Sequence, residues 1–473
     1  MMKGLPRWIT TLLLFALYTS LPATRLKANG NGSGAGDVKV PAASNQNPAQ
    51  LQQLEQQVMQ LRDEIDAMKK KSEAQTALPT AASAPVQASA PAVSPTATAV
   101  AAAMPGPADS PAPGAPAAPP SVVKTLWDTT TVQGYADGYY QYDFNEPAGR
   151  QNALHAFDNL TNQFSLNLAE LRINRSSDDT NRLGYNLVFG YGNAANVVNG
   201  TEPGTAYAPG ASFDRNVIQA YVSYLVPVGK GLTVNFGKFV TPAGAEVIES
   251  YGDWNYTRGL LFTFAIPFYH FGLNASYTFS PKVTLTGYVL NGWNNVVAIN
   301  TGKTLGFSLA LNPTKKLSVI ENYLGGPQTA QSNSHWRHLT DTVVQYNATS
   351  KFSLLENFDW GGGDMIPGVA NSVHWLGFAT YGRYAFTGNT AFTARYEYYD
   401  DHDGFTMLGL PHQHVHEYTA TLEHIFAGYL ITRLEFRRDM SNQYFFPMGD
   451  GLSKNQNTLT AGLMYLFDIH TAK

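Results

Sequence analysis

Two groups of charged residues could do chemistry together. Glu246, Glu249, Asp253 and Arg258 lie in one long polar stretch, residues 240–267. Arg383, Arg395, Arg433 and Arg437, with Glu397 and Glu435 beside them, recur on the polar phase of alternating segments nearer the C-terminus. Acids on a loop facing arginines on a wall set a field across a narrow aqueous passage, which acts on ions and needs no covalent step. The same acids could instead stay solvated at a mouth or accept hydrogen bonds from the loop's own backbone. A second concentration, Asp400, Asp401, His402, Asp403, His412, His414 and His416, contains metal-ligand types. His414 and His416 share phase with Tyr418, Ala420 and Leu422, which turns them away from the loop acids, so no metal and no cofactor is assigned.

Covalent chemistry has less support. The chain contains no G-x-S-x-G, no H-E-x-x-H and no P-loop, and its Ser, His and acidic residues are scattered. The expectation is that it is not an enzyme.

From about Leu126 onward, the elements that must position these charges read as period-2 strands rich in Tyr and Phe. Leu232, Val234 and Phe236 alternate with Thr233, Asn235 and Gly237. Tyr269, Phe271, Leu273, Ala275, Tyr277 and Phe279 alternate with His270, Asn274, Ser276 and Thr278. Short breaks near 176–182, 227–231, 280–282, 312–315, 347–351, 387–389 and 427–428 separate long polar or Gly-rich stretches near 145–163, 192–213, 240–267, 291–303, 325–335, 361–371, 400–413 and 439–456. Long and short alternate throughout, as expected when short turns face one side of a membrane and long loops the other. The fold class is therefore all-β, a transmembrane antiparallel barrel of about sixteen strands over residues 122–473. A phase change across Ala169-Glu170 predicts a β-bulge in the second strand.

Composition agrees. Only 14% of residues are charged and 12% are aromatic, against about 25% charged in a typical soluble domain. That mixture suits an outer face bathed in outer-membrane lipid and rims carrying aromatic girdles. The formal net charge of −4 suggests no nucleic-acid partner, and the absence of cysteine removes disulfides, thiolate sites and a lipid-modified cysteine.

The first 121 residues read differently. Lys3 and Arg7 precede an apolar run, giving an expected signal peptide over residues 1–23, followed by a flexible segment over 24–47. Over 48–72, Leu51, Leu54, Val58, Leu61, Ile65 and Met68 recur at heptad spacing, a coiled-coil seam that Asn47 can cap. A parallel homo-oligomer is one role for such a coil, and contact with peptidoglycan is another. Residues 73–121, rich in Ala and Pro, predict a disordered linker, whose Ala/Pro tract over 77–120 could extend roughly 140 Å as polyproline-like chain.

Four stretches carry a family likeness: QGYADGYYQYDFN at 133–145, FSLNLAEL at 164–171, GKFVTPAGAE at 237–246 and AIPFYHFG at 265–272. Together they resemble the β-barrel porin-2 (OmpL-like) family. One departure is Gly259, where a small hydroxyl residue is expected after Tyr256-Thr257-Arg258. The resemblance implies an outer-membrane porin, a water-filled channel for passive diffusion of small hydrophilic solutes or ions, and supplies no catalytic residues. The loop alternation puts both ends of an even-stranded barrel on the short-turn side, so the N-terminal coil is expected in the periplasm. The competing expectation is a non-conducting tether or adhesin that the barrel merely anchors.

Overall fold

The computed structural model describes residues 126–203, 210, 214–364, 372–407 and 412–472. The expected signal peptide, flexible segment, coiled-coil seam (Leu51, Leu54, Val58, Leu61, Ile65, Met68) and linker lie outside the described residues.

Sixteen antiparallel strands close into a barrel. They are β1 Thr131–Asp143, β2 Gln163–Arg175, β3 Leu183–Tyr191, β4 Val217–Val226, β5 Leu232–Val240, β6 Tyr269–Ser280, β7 Val283–Leu290 and β8 Thr304–Thr314. The second half comprises β9 Leu317–Thr329, β10 Ser332–Asn347, β11 Phe352–Gly363, β12 Val373–Ala385, β13 Thr390–Asp401, β14 Gln413–Phe426, β15 Leu430–Ser441 and β16 Asn455–His470. Each strand pairs with its neighbours in sequence, and β1 pairs with β16, so no edge is left. Among the described residues, no helix is long and apolar enough to cross a membrane.

The period-2 pattern is resolved by two solvents. Outward residues such as Phe236, Leu434 and Leu463 are more than half exposed and apolar, a surface that only hydrocarbon matches. Inward neighbours such as Asn235, Glu435 and Thr460 are polar. The seam is closed beyond the last apolar stripe: Gln133 Nε2 donates to Asp468 at 2.9 Å, and the Trp127 and His470 rings stack at 4.1 Å.

Two expectations need correcting. The stretch 325–335 is not a long loop, because β9 runs to Thr329 and β10 starts at Ser332, leaving a tight turn with Gln331 at φ 59°. Gly325 and Gly326 look like strand breakers but serve close approach: a Cβ on Gly326 would lie 2.5 Å from Thr304 Cα. The bulge in β2 also falls earlier than expected. Asp137 pairs with Leu168 and Gly138 with Leu166, so the extra residue is Asn167, whose amide donates to Asp137 Oδ2 at 2.6 Å.

Candidate functional site

The β5–β6 connection, loop 3 (residues 241–268), carries Ile248, Leu260, Leu261, Phe262, Ile266 and Phe268, none more than 6% exposed. Side chains of this kind are driven out of water, here into the barrel. Phe262 and Phe268 pack on each other at 5.5 Å and on Phe157 of loop 1, the β1–β2 connection (residues 144–162), at 5.8 and 5.9 Å. Trp254 meets Tyr381 of β12 edge-on at 6.4 Å.

Residues 241–259 form no strand or α-helix, so their backbone groups need other partners when buried. The wall supplies them by charge type. Its acids and amides accept from loop N–H groups: Asp341 from Gly244 at 2.9 Å, Asn357 from Ala245 at 2.9 Å, Glu435 from Tyr256 and Thr257 at 2.6 and 2.9 Å, and Glu397 from Leu260. Its arginines donate to loop carbonyls. Arg433 reaches Ser250, Asn255 and Asp253 at 2.6, 2.7 and 2.5 Å; Arg395 reaches Thr257 and Arg437 reaches Arg258, both at 2.7 Å.

The loop's own charges are spent close by. Glu246 pairs with Arg395 at 2.6 Å and accepts Gly259 N–H at 2.7 Å. Glu249 pairs with Arg172 of β2 at 2.7 Å. Asp253 accepts Val247 N–H at 2.9 Å and stands 3.2 Å from Arg258, whose guanidinium also donates to the Val247, Ile248 and Tyr256 carbonyls. Burial works against the Arg258 charge, but Asp253 and Asp137 outweigh it and hold the group cationic. Loop acids and wall arginines are thus in contact, not opposed across water.

Around these contacts the remaining sequence candidates fall into place. Arg383 pairs with Glu423 at 2.7 Å, and the same carboxylate holds Arg433 Nε at 2.8 Å. Arg437 holds Asp439 at 2.8 Å. All ten candidates lie inside the barrel, and only Arg383 among the wall set shows a side chain as much as 23% exposed.

Sequence reading missed Asp137, Arg172, Asp341, Asn357 and Glu417. Asp137 Oδ2 accepts Ser250 Oγ at 2.6 Å, and its Oδ1 accepts Tyr256 Oη at 2.8 Å. Strand phase could have placed it inward within 133–145; nothing local named the loop it would hold. The His/Asp concentration is divided between roles. Asp401 caps the N–H groups of Phe405, Thr406 and Met407, and His416 meets Tyr396 Oη on the outer face at 2.9 Å. Among the described residues, no three His, Cys, Asp or Glu side chains are placed to hold a metal.

Loop 1 closes over loop 3. His155 contacts Asp158 and lies 3.4 Å from Asp439, while Leu154 O accepts from Arg437 at 3.3 Å. Burial pushes His155 down and Asp158 up. Their mutual attraction, with Asp439 on the histidine, overrules it, raising His155 above 6.5 and lowering Asp158 from 3.8 to about 2. The histidine's contribution is complete below its unfolded value of 6.5 and is lost as pH rises through its raised folded value. The aspartate's is complete above 3.8 and is lost as pH falls through about 2. Hydrogen exchange over residues 153–158 should therefore be slowest, corrected for intrinsic rate, between about pH 4 and 6.5.

The opposite wall differs. Ser223, Thr233, Asn235, Ser276, Thr286 and Ser308, inward on β4 to β8, carry no charge and stay partly exposed, while Asn274, His270 and Thr304 on the same strands are buried. They bond along the wall: Ser223 to Asn235 at 2.5 Å, Asn235 to Asn274 at 2.9 Å and Thr286 to Ser276 at 3.0 Å.

A closed sixteen-stranded barrel with an apolar belt and a polar interior narrowed by an infolded loop is a porin of the outer membrane. Residues 129–467 match the family described as "Putative beta-barrel porin-2, OmpL-like", and the chain belongs to it. A solved structure agrees on the fold. OmpF of Salmonella typhi, in complex with daunomycin, matches at TM-score 0.50 with 12% identity, over 72% of this chain and 98% of its own. An anion-selective porin from Comamonas acidovorans matches at 0.47 with 12% identity, over 72% and 99%. OmpT of Vibrio cholerae matches at 0.47 with 11% identity, over 72% and 97%. No curated protein matches the sequence.

Proposed function

We propose that this porin passes small hydrophilic solutes and ions by passive diffusion along the neutral wall of β4 to β8. The observation that carries the reading is the division of the lumen. Charged side chains on the other wall mostly hold loop 3 or pair with one another, while Ser223, Thr233, Asn235, Ser276, Thr286 and Ser308 keep contact with water.

Selectivity follows from which member of each ion pair reaches that water. Arg172 is 26% exposed beside Glu249 at 9%, and Arg383 is 23% exposed beside Glu423 at 6%. Both water-facing ends are cationic, which favours a weak anion preference, strongest at low salt where screening is least. In planar bilayers the full chain should conduct, and R172Q and R383Q should move the reversal potential toward cations. Unchanged potentials at low salt would reject the assignment, and no conductance would favour the tether. We further propose that the N-terminal coil serves oligomerisation or cell-wall contact from the periplasm. A chain lacking residues 29–120 should then still conduct.

A further inference from the structure

We propose that the outer face of β9 to β11 is an interface between two copies of this chain, built around Glu321 and Glu356. The strand register points both side chains out of the barrel. Glu321 pairs with Leu309 of β8, in phase with the exposed Leu305 and Phe307, and Glu356 is in phase with the exposed Phe358 two residues on. Glu321 lies four residues past Leu317, where β9 leaves its short turn, and Glu356 four past Phe352, where β11 does. The two carboxyls therefore stand at one depth on either side of β10, roughly 10 Å or two strand spacings apart. At the same count into β3, β5, β13 and β15 the residues are Leu187, Phe236, Ala394 and Leu434, all apolar.

Each acid is half answered within its own chain. Thr342 Oγ1 of β10 donates to Glu321 Oε2 at 2.6 Å, and Thr380 Oγ1 of β12 donates to Glu356 Oε1 at 2.7 Å. Among the described residues the second oxygen of each has no partner, and neither acid meets a cation. Hydrocarbon offers nothing to either form of the group. A charge is costly there, and a neutral carboxyl keeps an O–H with no acceptor.

A second copy supplies what is missing. A two-fold axis along the membrane normal, passing over β10, turns β9 of one copy toward β11 of the other and leaves depth unchanged. Glu321 then faces the partner's Glu356, and Glu356 faces the partner's Glu321, so the patch is self-complementary. Two neutral carboxyls can exchange O–H···O bonds, while each carbonyl oxygen, having two lone pairs, keeps its threonine. The groups match in kind, number and depth, which singles out another copy as the occupant.

The chain has no cysteine, so an introduced one reports the contact directly. Val344, outward on β10 and paired with Glu356, would lie beside the axis. In the full chain in lipid vesicles, Val344→Cys should form a disulfide-linked dimer under mild oxidation, and Phe236→Cys on β5 should not. Adding Glu321→Leu and Glu356→Leu should lower the Val344→Cys cross-link by about tenfold, although leucine suits lipid better than glutamate. Glu321→Gln with Glu356→Gln should retain it, because facing amides still exchange hydrogen bonds. Should the leucine pair fail to fold by circular dichroism, Glu321→Leu alone removes one side of both contacts and takes its place. The N-terminal coil is unchanged in every variant, so association through it cannot produce this pattern. No dimer from Val344→Cys, equal cross-linking from Phe236→Cys, or a folded leucine variant that cross-links like its parent overturns the proposal.

Discussion

Replacing Arg395 by methionine should destabilise the barrel by about 3–5 kcal/mol, the usual cost of leaving a buried charge without its partner. This guanidinium holds Glu246 at 2.6 Å and Glu417 at 3.0 Å, and it reaches the Thr257 carbonyl at 2.7 Å. Its side chain is fully buried, so water cannot take its place. Two carboxylates and a carbonyl would be stranded in one change. The apparent melting temperature in detergent should fall, and loop 3 should leave the wall, giving larger and noisier conductance steps. Adding Glu246→Gln and Glu417→Gln removes the stranded charges and should recover much of the stability. If the single variant melts and conducts like the parent, the loop is not pinned by this contact.

Gly259→Ser should cost about 1–3 kcal/mol, the range of overpacking in a filled interior. A Cβ at this position would lie 2.1 Å from Glu397 Oε1 and 2.5 Å from its Cδ. The carboxylate has little room to move, because it is fully buried and accepts Leu260 N–H. Glu397 fills the space that a serine after Tyr256-Thr257-Arg258 would need. Glu397→Ala alone leaves the Leu260 N–H unpaired and opens a cavity. The double variant should be more stable than the two losses added together, by about 0.5–3 kcal/mol. Strict additivity in unfolding measurements would mean that the two residues do not compete for one place.

Much of the barrel was legible because each strand face meets a different solvent, and that difference repeats every two residues, as in Leu232 to Gly237. Turn positions followed from polar breaks between strands. The exception, 325–335, misled because Gly325 and Gly326 accommodate Tyr323 and Thr304 within a continuing hairpin. The candidate site was legible only as residue types. Strand phase pointed Arg395, Arg433 and Glu435 inward, but their partners are backbone groups of Thr257, Ser250 and Tyr256, more than a hundred residues away. A backbone carbonyl leaves no mark in sequence, so nothing distinguished an arginine that binds a loop from one that faces a passing ion.

Loop 3 also imposes an order of events. Its anchors at Asp341, Arg395 and Glu435 belong to strands that follow it in the chain, by 97 residues from Gly244 to Asp341 and 179 from Tyr256 to Glu435. During assembly the loop must wait, its N–H and C=O groups held by water, until the later hairpins bring those anchors round. Contacts of such separation form late. Docking of loop 3 is therefore coupled to barrel closure, and Trp254, seated against Tyr381 only in the docked loop, times the last step of folding.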